Sequence, residues 1–460
     1  MKLPAHARYK PSGVEWLGDV PEHWGVKRLK YLTEISTSGV WGEDPDSEDD
    51  GCPVATTANI SPQGEIDVPG MHRRLLSKEE LRKGLCRPGD TIVVKSSGSA
   101  SSVISGKCAM VRPEHGEICF SNFTLRVRPI EGRLDPFFTW SFLSSGIVRA
   151  QVRLMVSTTT YPNLQVPEYI SFLVPQPPPA EQRAIAAFLD RETGRVDRLV
   201  AKKRELIERL KEKRTALISR TVTRGLPPAA ARAAGLPANP PLKLSALDWL
   251  GDIPKHWEAL TVRRRAKRIQ TGGTPPTVEE RYYEDGTVPW FGPGSFDDQI
   301  VVAQPIKLLN ASAVKEGAAR MFAAGATMVV TIGATLGKVS SLTEAGSCNQ
   351  QITVIEFDQR RIHPRFATYQ LKRIEPALRA IAPSATLPIL DQGEIADIAL
   401  AVPPLPEQAA IAAYLDEETA KLEALVGKVE EAVERLQEYR TALITAAVTG
   451  KIDVRKEAHA

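Results

Sequence analysis

The 460-residue chain has only five cysteines, Cys52, Cys86, Cys108, Cys119 and Cys348, and none of them stands in a CxxC pair. An odd number at wide spacing excludes a disulfide framework or zinc ribbon as the organising device and fits a reducing cytoplasm. The seven histidines show no metal-ligand spacing, and His23 and His256, each beside a tryptophan, read as structural, so no metal is expected. Long hydrophobic runs are missing too. The longest uncharged stretch, Met321 to Gly337, is too short and too rich in Gly, Thr and Ala to span a bilayer. The opening MKLPAHARYK is charged with no apolar stretch behind it, so neither a secretory signal nor a membrane partner is expected. With a net charge of only +4, any nucleic-acid surface has to arise from local clustering.

Catalytic constellations are equally scarce. GATLGKVS, Gly333 to Ser340, has one residue too few between its glycines for a phosphate-binding loop, and Val339 where Ser or Thr should hold magnesium; it reads as a tight turn. NPPL, Asn239 to Leu242, lacks the aromatic residue of the adenine-methyltransferase motif, and no glycine-rich cofactor loop precedes it. No Ser/His/Asp signature or paired carboxylates stand out. The chain is read as non-catalytic, with no cofactor of its own.

What the sequence does contain is a repeat. WLGDVPEHW at Trp16 to Trp24 returns as WLGDIPKHW at Trp249 to Trp257, PPPAEQRAIAAFLDRET at Pro177 as PPLPEQAAIAAYLDEET at Pro403, and RTALISRTVTRG at Arg214 as RTALITAAVTG at Arg440. The order is A-B-A′-B′. Weaker echoes within the A units, RPGDTIVV against AAGATMVV and Gly106-Lys107 against Gly337-Lys338, indicate one scaffold with diverged surfaces. Gly89-Asp90 has Gly325-Ala326 opposite it, so Asp90 reads as a turn former.

Each B unit has the marks of a long helix, with prolines and an acidic residue at its start and a glycine at its end. Heptad spacing places Leu189, Val196, Leu199, Leu206, Leu210 and Leu217 on one seam, and Leu415, Leu422, Leu425, Ala432, Leu436 and Leu443 on the other. Between Ala201 and Arg224 the first helix carries nine basic residues against three acidic ones, whereas the matching stretch of the second is acid-rich, which favours pairing of the two. The alternative is that each helix packs on its own domain with a solvated charged face. Connectivity favours an antiparallel pair with a domain at each end, closing as a pseudo-two-fold ring. The expected boundaries are a first domain at 1–176, a first helix at 177–225, a Pro/Ala-rich linker at 226–246, a second domain at 247–402 and a second helix at 403–460.

Short β-like runs, DTIVVKSS, TLRVRP, TMVVTIG and ITVIEF, among Pro/Gly-punctuated loops make both A units α+β domains, two α/β bodies joined by a coiled coil. Binding features are better represented than catalytic ones. Lys95, Ser96, Ser97, Ser99 and Lys107 in the first domain, and Thr331, Thr335 and Lys338 in the second, place donors on Gly-rich loops that can approach a phosphate backbone. Asn122, Gln350 and Gln351 carry amides able to read base edges bidentately. Arg281, Tyr282 and Trp290 form a basic and aromatic cluster, and Thr160, Tyr161 and Thr386 lie on loops that match only loosely.

The three repeated segments, VEWLGDVPEHW with LDWLGDIPKHW, the PxxEQxAIAxxLDxET helix openings and the terminal RTALI…VTG, resemble the specificity subunit of type I restriction-modification systems over both halves of the chain. The resemblance implies two target-recognition domains separated by an antiparallel helix pair, each domain reading half of a gapped site in double-stranded DNA. It also implies modification subunits, two of them, docked on the helices, and restriction subunits beyond them. Methyl transfer from S-adenosylmethionine, and ATP- and Mg-dependent cleavage, would belong to those partners. A helix of about 40 residues is roughly 60 Å long at about 1.5 Å per residue, against roughly 34 Å for one turn of B-DNA, so the spacing is compatible. A protein-only coiled-coil adaptor and a self-sufficient methyltransferase or nuclease are the competing classes.

Overall fold

The computed structural model describes residues 4–47, 50–96, 104–156, 163–245, 247, 250–302, 304–381 and 389–455. The chain divides into two compact units, Met1–Arg204 with Glu430–Ala460, and Glu205–Val429.

In unit 1 seven strands build two sheets: β1 (Thr33–Ser36), β2 (Cys52–Ala55), β3 (His72–Arg74), β4 (Thr91–Val94), β5 (Cys108–Met110), β6 (Cys119–Phe120) and β7 (Thr124–Pro129). The four-stranded sheet runs β1-β7-β4-β5, and the three-stranded one runs β3-β2-β6 with β2 and β6 parallel. Strand β4, TIVV, is buried throughout because it has a core on each face. Val93 joins the cluster of Trp24, Phe138, Phe142 and Tyr169, while Ile92 and Val94 join that of Ala55, Ala109 and Phe120. A strand covered on both faces reads as a continuous apolar run, as TIVV does.

Unit 2 repeats the plan with β8 (Ala266–Thr271), β9 (Val288–Phe291), β10 (Lys307–Leu309), β11 (Thr327–Val330), β12 (Val339–Ser341), β13 (Ser347–Cys348) and β14 (Ile352–Phe357). The orders are β8-β14-β11-β12 and β10-β9-β13, again with the central strand β9 parallel to β13. Val329 faces one core, Met328 and Val330 the other. The 333–338 segment is the turn between β11 and β12: the Gly337 amide donates to Val330 O at 2.8 Å, as Gly106 donates to Val94 O at 2.7 Å. Both glycines have positive φ, 88° and 74°.

The two long helices are α1 (Pro179–Arg224) and α2 (Leu405–Val448). The repeated tryptophan and Glu-Gln motifs are two sides of one junction where a helix starts. Trp24 and Trp257 are fully buried. In unit 2 His256 Nε2 lies 2.8 Å from Glu407 Oε2, and Trp257 Nε1 donates to Glu407 Oε1 at 3.1 Å. The next residue, Gln408, accepts from the His363 amide at 2.7 Å and donates to Pro403 O at 2.7 Å. In unit 1 His23 meets Glu181 at 2.7 Å, and Gln182 accepts from the Asp135 amide at 2.7 Å and donates to Pro177 O at 2.8 Å.

One boundary needs correcting. Helix α2 stops at Val448 and not at 460, because Gly450 at φ 72° turns the chain; the Asp453 amide then donates to Pro4 O at 2.7 Å and Tyr9 donates to Gly450 O at 3.1 Å. The expected linker is partly ordered, with a helix at Pro228–Ala233 and a strand at Leu242–Leu244 paired with Asp252–Pro254. Among the described residues, no helix is long and apolar enough to cross a membrane.

Within unit 1 the start of α1 and the end of α2 run antiparallel. Ile185 and Leu189 share a core with Leu443, Ala447 and Val448, while further along Val196 and Val200 cluster with Val433 and Leu436. Asp197 takes an ion pair from Arg440 at 2.9 Å. Within unit 2, Arg214 pairs with Glu423 at 3.3 Å, and Ile218, Val222, Ile411 and Leu415 share a core with Leu217 against it. Leu210 is buried and Leu422 half-buried. The expected seam is corrected at Leu199, Leu206 and Leu425, which are exposed, and Ala432 is half-buried; Val200, Ile207, Val429 and Val433 are buried near them. Val200→Ala should therefore destabilise unit 1 by about 2 kcal/mol, whereas Leu199→Ala should stay within about 0.5 kcal/mol. Thermal unfolding of the two variants checks this, and equal effects would restore the original register.

Candidate nucleic-acid interface

Strand register collects the loops at one end of the strands in each unit, the edge of the sheet that runs across the strand ends. Thr124 at the start of β7 pairs with Val94 at the end of β4, so Lys95 and Ser96, which follow β4, meet Asn122 and Phe123, which precede β7. The Lys95 and Ser96 amides both donate to Phe123 O, at 2.9 and 3.2 Å, and the Leu164 amide donates to Lys95 O at 2.8 Å. The Asn122 amide donates to Val40 O at 3.2 Å, leaving its side chain exposed. Lys95 Nζ donates to Thr37 O at 3.0 Å. Unit 2 reproduces this edge: Val330 pairs with Ile352, the Thr331 amide donates to Gln351 O at 2.8 Å, and the Leu390 amide donates to Thr331 O at 2.9 Å.

At the same edge lie two residues that the sequence reading passed over. Trp41 is 47% and Phe123 43% exposed, their rings edge-on at 5.6 Å, with the Arg74 guanidinium 5.0 Å from the Trp41 ring. Large aromatics left in water beside an amide and a cation are unusual on a surface without a partner. The available signal was their setting, SGVWG and SNFT, where an aromatic follows turn residues. Opposite them in unit 2, Thr274 Oγ1 hydrogen-bonds Gln350 Oε1, and Asn349 Nδ2 donates to Gln351 Oε1 at 2.9 Å.

Gly39 and Gly272 hold these edges together. A Cβ on Gly39 would lie 2.1 Å from Phe120 O, and one on Gly272 2.2 Å from Cys348 O, so only glycine lets the strand β1 or β8 segment pass.

Lys107 opens β5 at the same edge but turns into a cavity of about 400 Å³ lined also by Arg149, Arg153 and Arg440. Burial and Arg149 together lower its pKa. Arg149 donates to Ser105 O at 2.6 Å, and Arg379 donates to Leu336 O at 3.0 Å, a clamp on the glycine turn repeated in both units. Lys338 is half-buried and donates to Phe296 O at 2.9 Å. Thr335 lies half-buried in its turn, its carbonyl accepting from the Lys338 amide.

Other candidates are corrected. Thr331 is buried, its hydroxyl donating to Gln351 O at 3.1 Å. Tyr282 and Trp290 form a small core with Leu309, Ala313 and Ala319, and Trp290 Nε1 donates to Gly273 O at 3.1 Å. Arg281 is held between Glu279 at 2.8 Å and Glu316 at 2.9 Å, which hold its pKa above the usual arginine value. Core packing takes the same aromatic residue types as base contact, so composition alone does not separate them. Ser97, Ser99, Thr160, Tyr161 and Thr386 lie outside the described residues. Burial pushes the Cys86, Cys108 and Cys348 thiols up to about 12, far from the thiolate form that a nucleophile needs.

Residues 267–435 match the family model described as type I restriction modification DNA specificity domain. The putative type I restriction enzyme MjaX specificity subunit of Methanocaldococcus jannaschii is 20% identical over 450 residues, covering 95% of this chain and 96% of its own. The StySPI specificity subunit of Salmonella potsdam is 23% identical over 451 residues, covering 95% and 90%. Similarity to type I restriction-modification specificity subunits thus runs over nearly the whole chain. A chain from a solved type I R-M system superposes with a TM-score of 0.68 at 18% identity, covering 94% of this chain and 99% of itself, so the α+β fold is shared across nearly the full length.

Proposed function

We propose that the chain is such a specificity subunit and that its two sheet edges are the DNA-reading surfaces, each reading one half of a bipartite, gapped site. The observation that carries this is the repetition of one scaffold with different residues at equivalent edge positions. Trp41, Asn122 and Phe123 stand in unit 1 where Thr274, Gln350 and Gln351 stand in unit 2. Identical frames with unlike amides and rings suit two targets of different sequence. The long helices serve as spacer and as the dock for modification subunits, and restriction subunits join that complex. The chain itself catalyses nothing; S-adenosylmethionine, ATP and Mg are used by the partners.

Co-expression with the modification subunit, followed by genome-wide methylation mapping, tests the proposal. Two methylated half-sites at a fixed gap are expected. Asn122→Ala should relax one base position in one half-site, at about 1–3 kcal/mol of discrimination, and Gln350→Ala should do so in the other half-site only. A continuous motif, or both variants altering the same half, would refute it. Lys95→Ala should weaken binding to all sequences alike and reduce the salt slope by about one.

A further inference from the structure

His6, His23 and Glu181 converge in unit 1 from three separate stretches of chain, with one potential ligand atom from each lying within 4.8 Å of the others. His23 Nε2 is 2.7 Å from Glu181 Oε2, and His6 Nε2 is 3.7 Å from Glu181 Oε1, too far for a hydrogen bond. The His6 and Glu181 side chains are nearly sealed from solvent, while that of His23 is 40% exposed.

Unit 2 is an internal control. There the equivalent acid, Glu407, satisfies both His256 and Trp257 Nε1. In unit 1 the second carboxylate oxygen faces His6 instead, and neither Trp24 Nε1 nor His6 Nδ1, both buried, makes a hydrogen bond among the described residues. A buried imidazole nitrogen standing 3.7 Å off a buried carboxylate oxygen leaves room for a shared ion between them.

We propose that His6 Nε2, His23 Nε2 and Glu181 form a three-ligand site for a zinc-class divalent cation. Two imidazoles and a carboxylate are the donors such an ion takes at about 2.0–2.2 Å, which sets neighbouring ligand atoms about 3.3 Å apart in a tetrahedron. The observed 2.7 and 3.7 Å separations bracket that spacing. His23 then carries its proton on Nδ1. Solvent reaching the half-exposed His23 ring supplies the fourth ligand. The other nitrogen of His6, Nδ1, lies 4.0 Å from Asp453 Oδ2, so a small approach gives the carboxylate support that metal-bound histidines ordinarily have. The ion would tie residue 6, the first tryptophan motif and the start of α1 together. Sequence spacing does not reveal such a set, because its members are 17 and 158 residues apart.

The tag-free full chain, stripped with a chelator, is titrated with zinc, and with cobalt to read the visible absorption of a four-coordinate ion. One equivalent is expected to bind with a rise in melting temperature. His6→Asn should weaken binding at least about tenfold, since losing even an outer-sphere partner costs about 10–100-fold. His23→Asn, at a half-exposed position, should do the same without disturbing a buried ring. His256→Asn, in the other unit, should leave binding unchanged. No stoichiometric binding by the wild type, or equal binding by wild type and both unit 1 variants, overturns the site.

Discussion

Trp257→Ala is expected to destabilise unit 2 by about 3–5 kcal/mol, the range for emptying a buried tryptophan site, and to lower its unfolding midpoint by roughly 6–20 °C. The side chain is fully buried among Ile218, Val222, Phe366, Ile411 and Leu415, so it joins the sheet domain to segments of both long helices. Removing it opens a cavity where three layers meet, and helices are too stiff to collapse into it. A finer comparison separates packing from hydrogen bonding. Trp257 Nε1 donates to Glu407, but Trp24 Nε1 has no hydrogen bond among the described residues. Trp257→Phe should therefore cost about 1 kcal/mol more than Trp24→Phe. Calorimetry on the three variants measures both effects. Equal losses for the two phenylalanine variants would mean that the Glu407 bond contributes nothing.

The repeat, the strands and the long helices are legible in the sequence because each leaves a local pattern. TIVV and TMVV announce strands covered on both faces, and the paired motifs announce two copies of one junction. The helix seam is read only approximately. Leu199 and Leu206 each adjoin a β-branched residue, Val200 and Ile207, and which of two neighbouring apolar side chains turns inward is decided by the facing surface and not by the heptad count. The edge residues show a different limit. Lys95 and Asn122 are remote in sequence and meet only through the register of Thr124 with Val94. Their residue types were visible; their convergence was not. Conversely, Arg281, Tyr282 and Trp290 are close in sequence and rich in binding chemistry, yet two carboxylates and a small core already occupy them.

Asp90→Ala should be the most damaging single charge change in unit 1, costing about 3–5 kcal/mol as the loss of one partner from a buried ion pair. Asp90 is 1% exposed and does more than form its turn. It accepts from the Arg87 amide at 2.7 Å, takes two hydrogen bonds from Arg128 at 2.7 Å each, and lies 4.0 Å from Arg126. Removing the carboxylate strands two mostly buried guanidiniums and an amide. Arg126 is the more sensitive of the two, since burial lowers its pKa, while the Asp90 hydrogen bonds raise that of Arg128. Unit 2 solves the same problem from the opposite strand. Ala326 replaces the acid, and Glu356, the β14 residue matching Arg128 on β7, accepts from the Ala323 amide at 2.8 Å and pairs with Arg268 at 3.4 Å. The turn amide is satisfied in both units, but by a carboxylate from different strands. Copying the unit 2 arrangement, Asp90→Ala with Arg128→Glu, should thus recover at least half of the loss. The introduced carboxylate would accept the Arg87 amide and face Arg126. Denaturant unfolding of the single and double variants gives the coupling directly, and a double variant no more stable than Asp90→Ala alone would show that the two copies solve this turn by unrelated means.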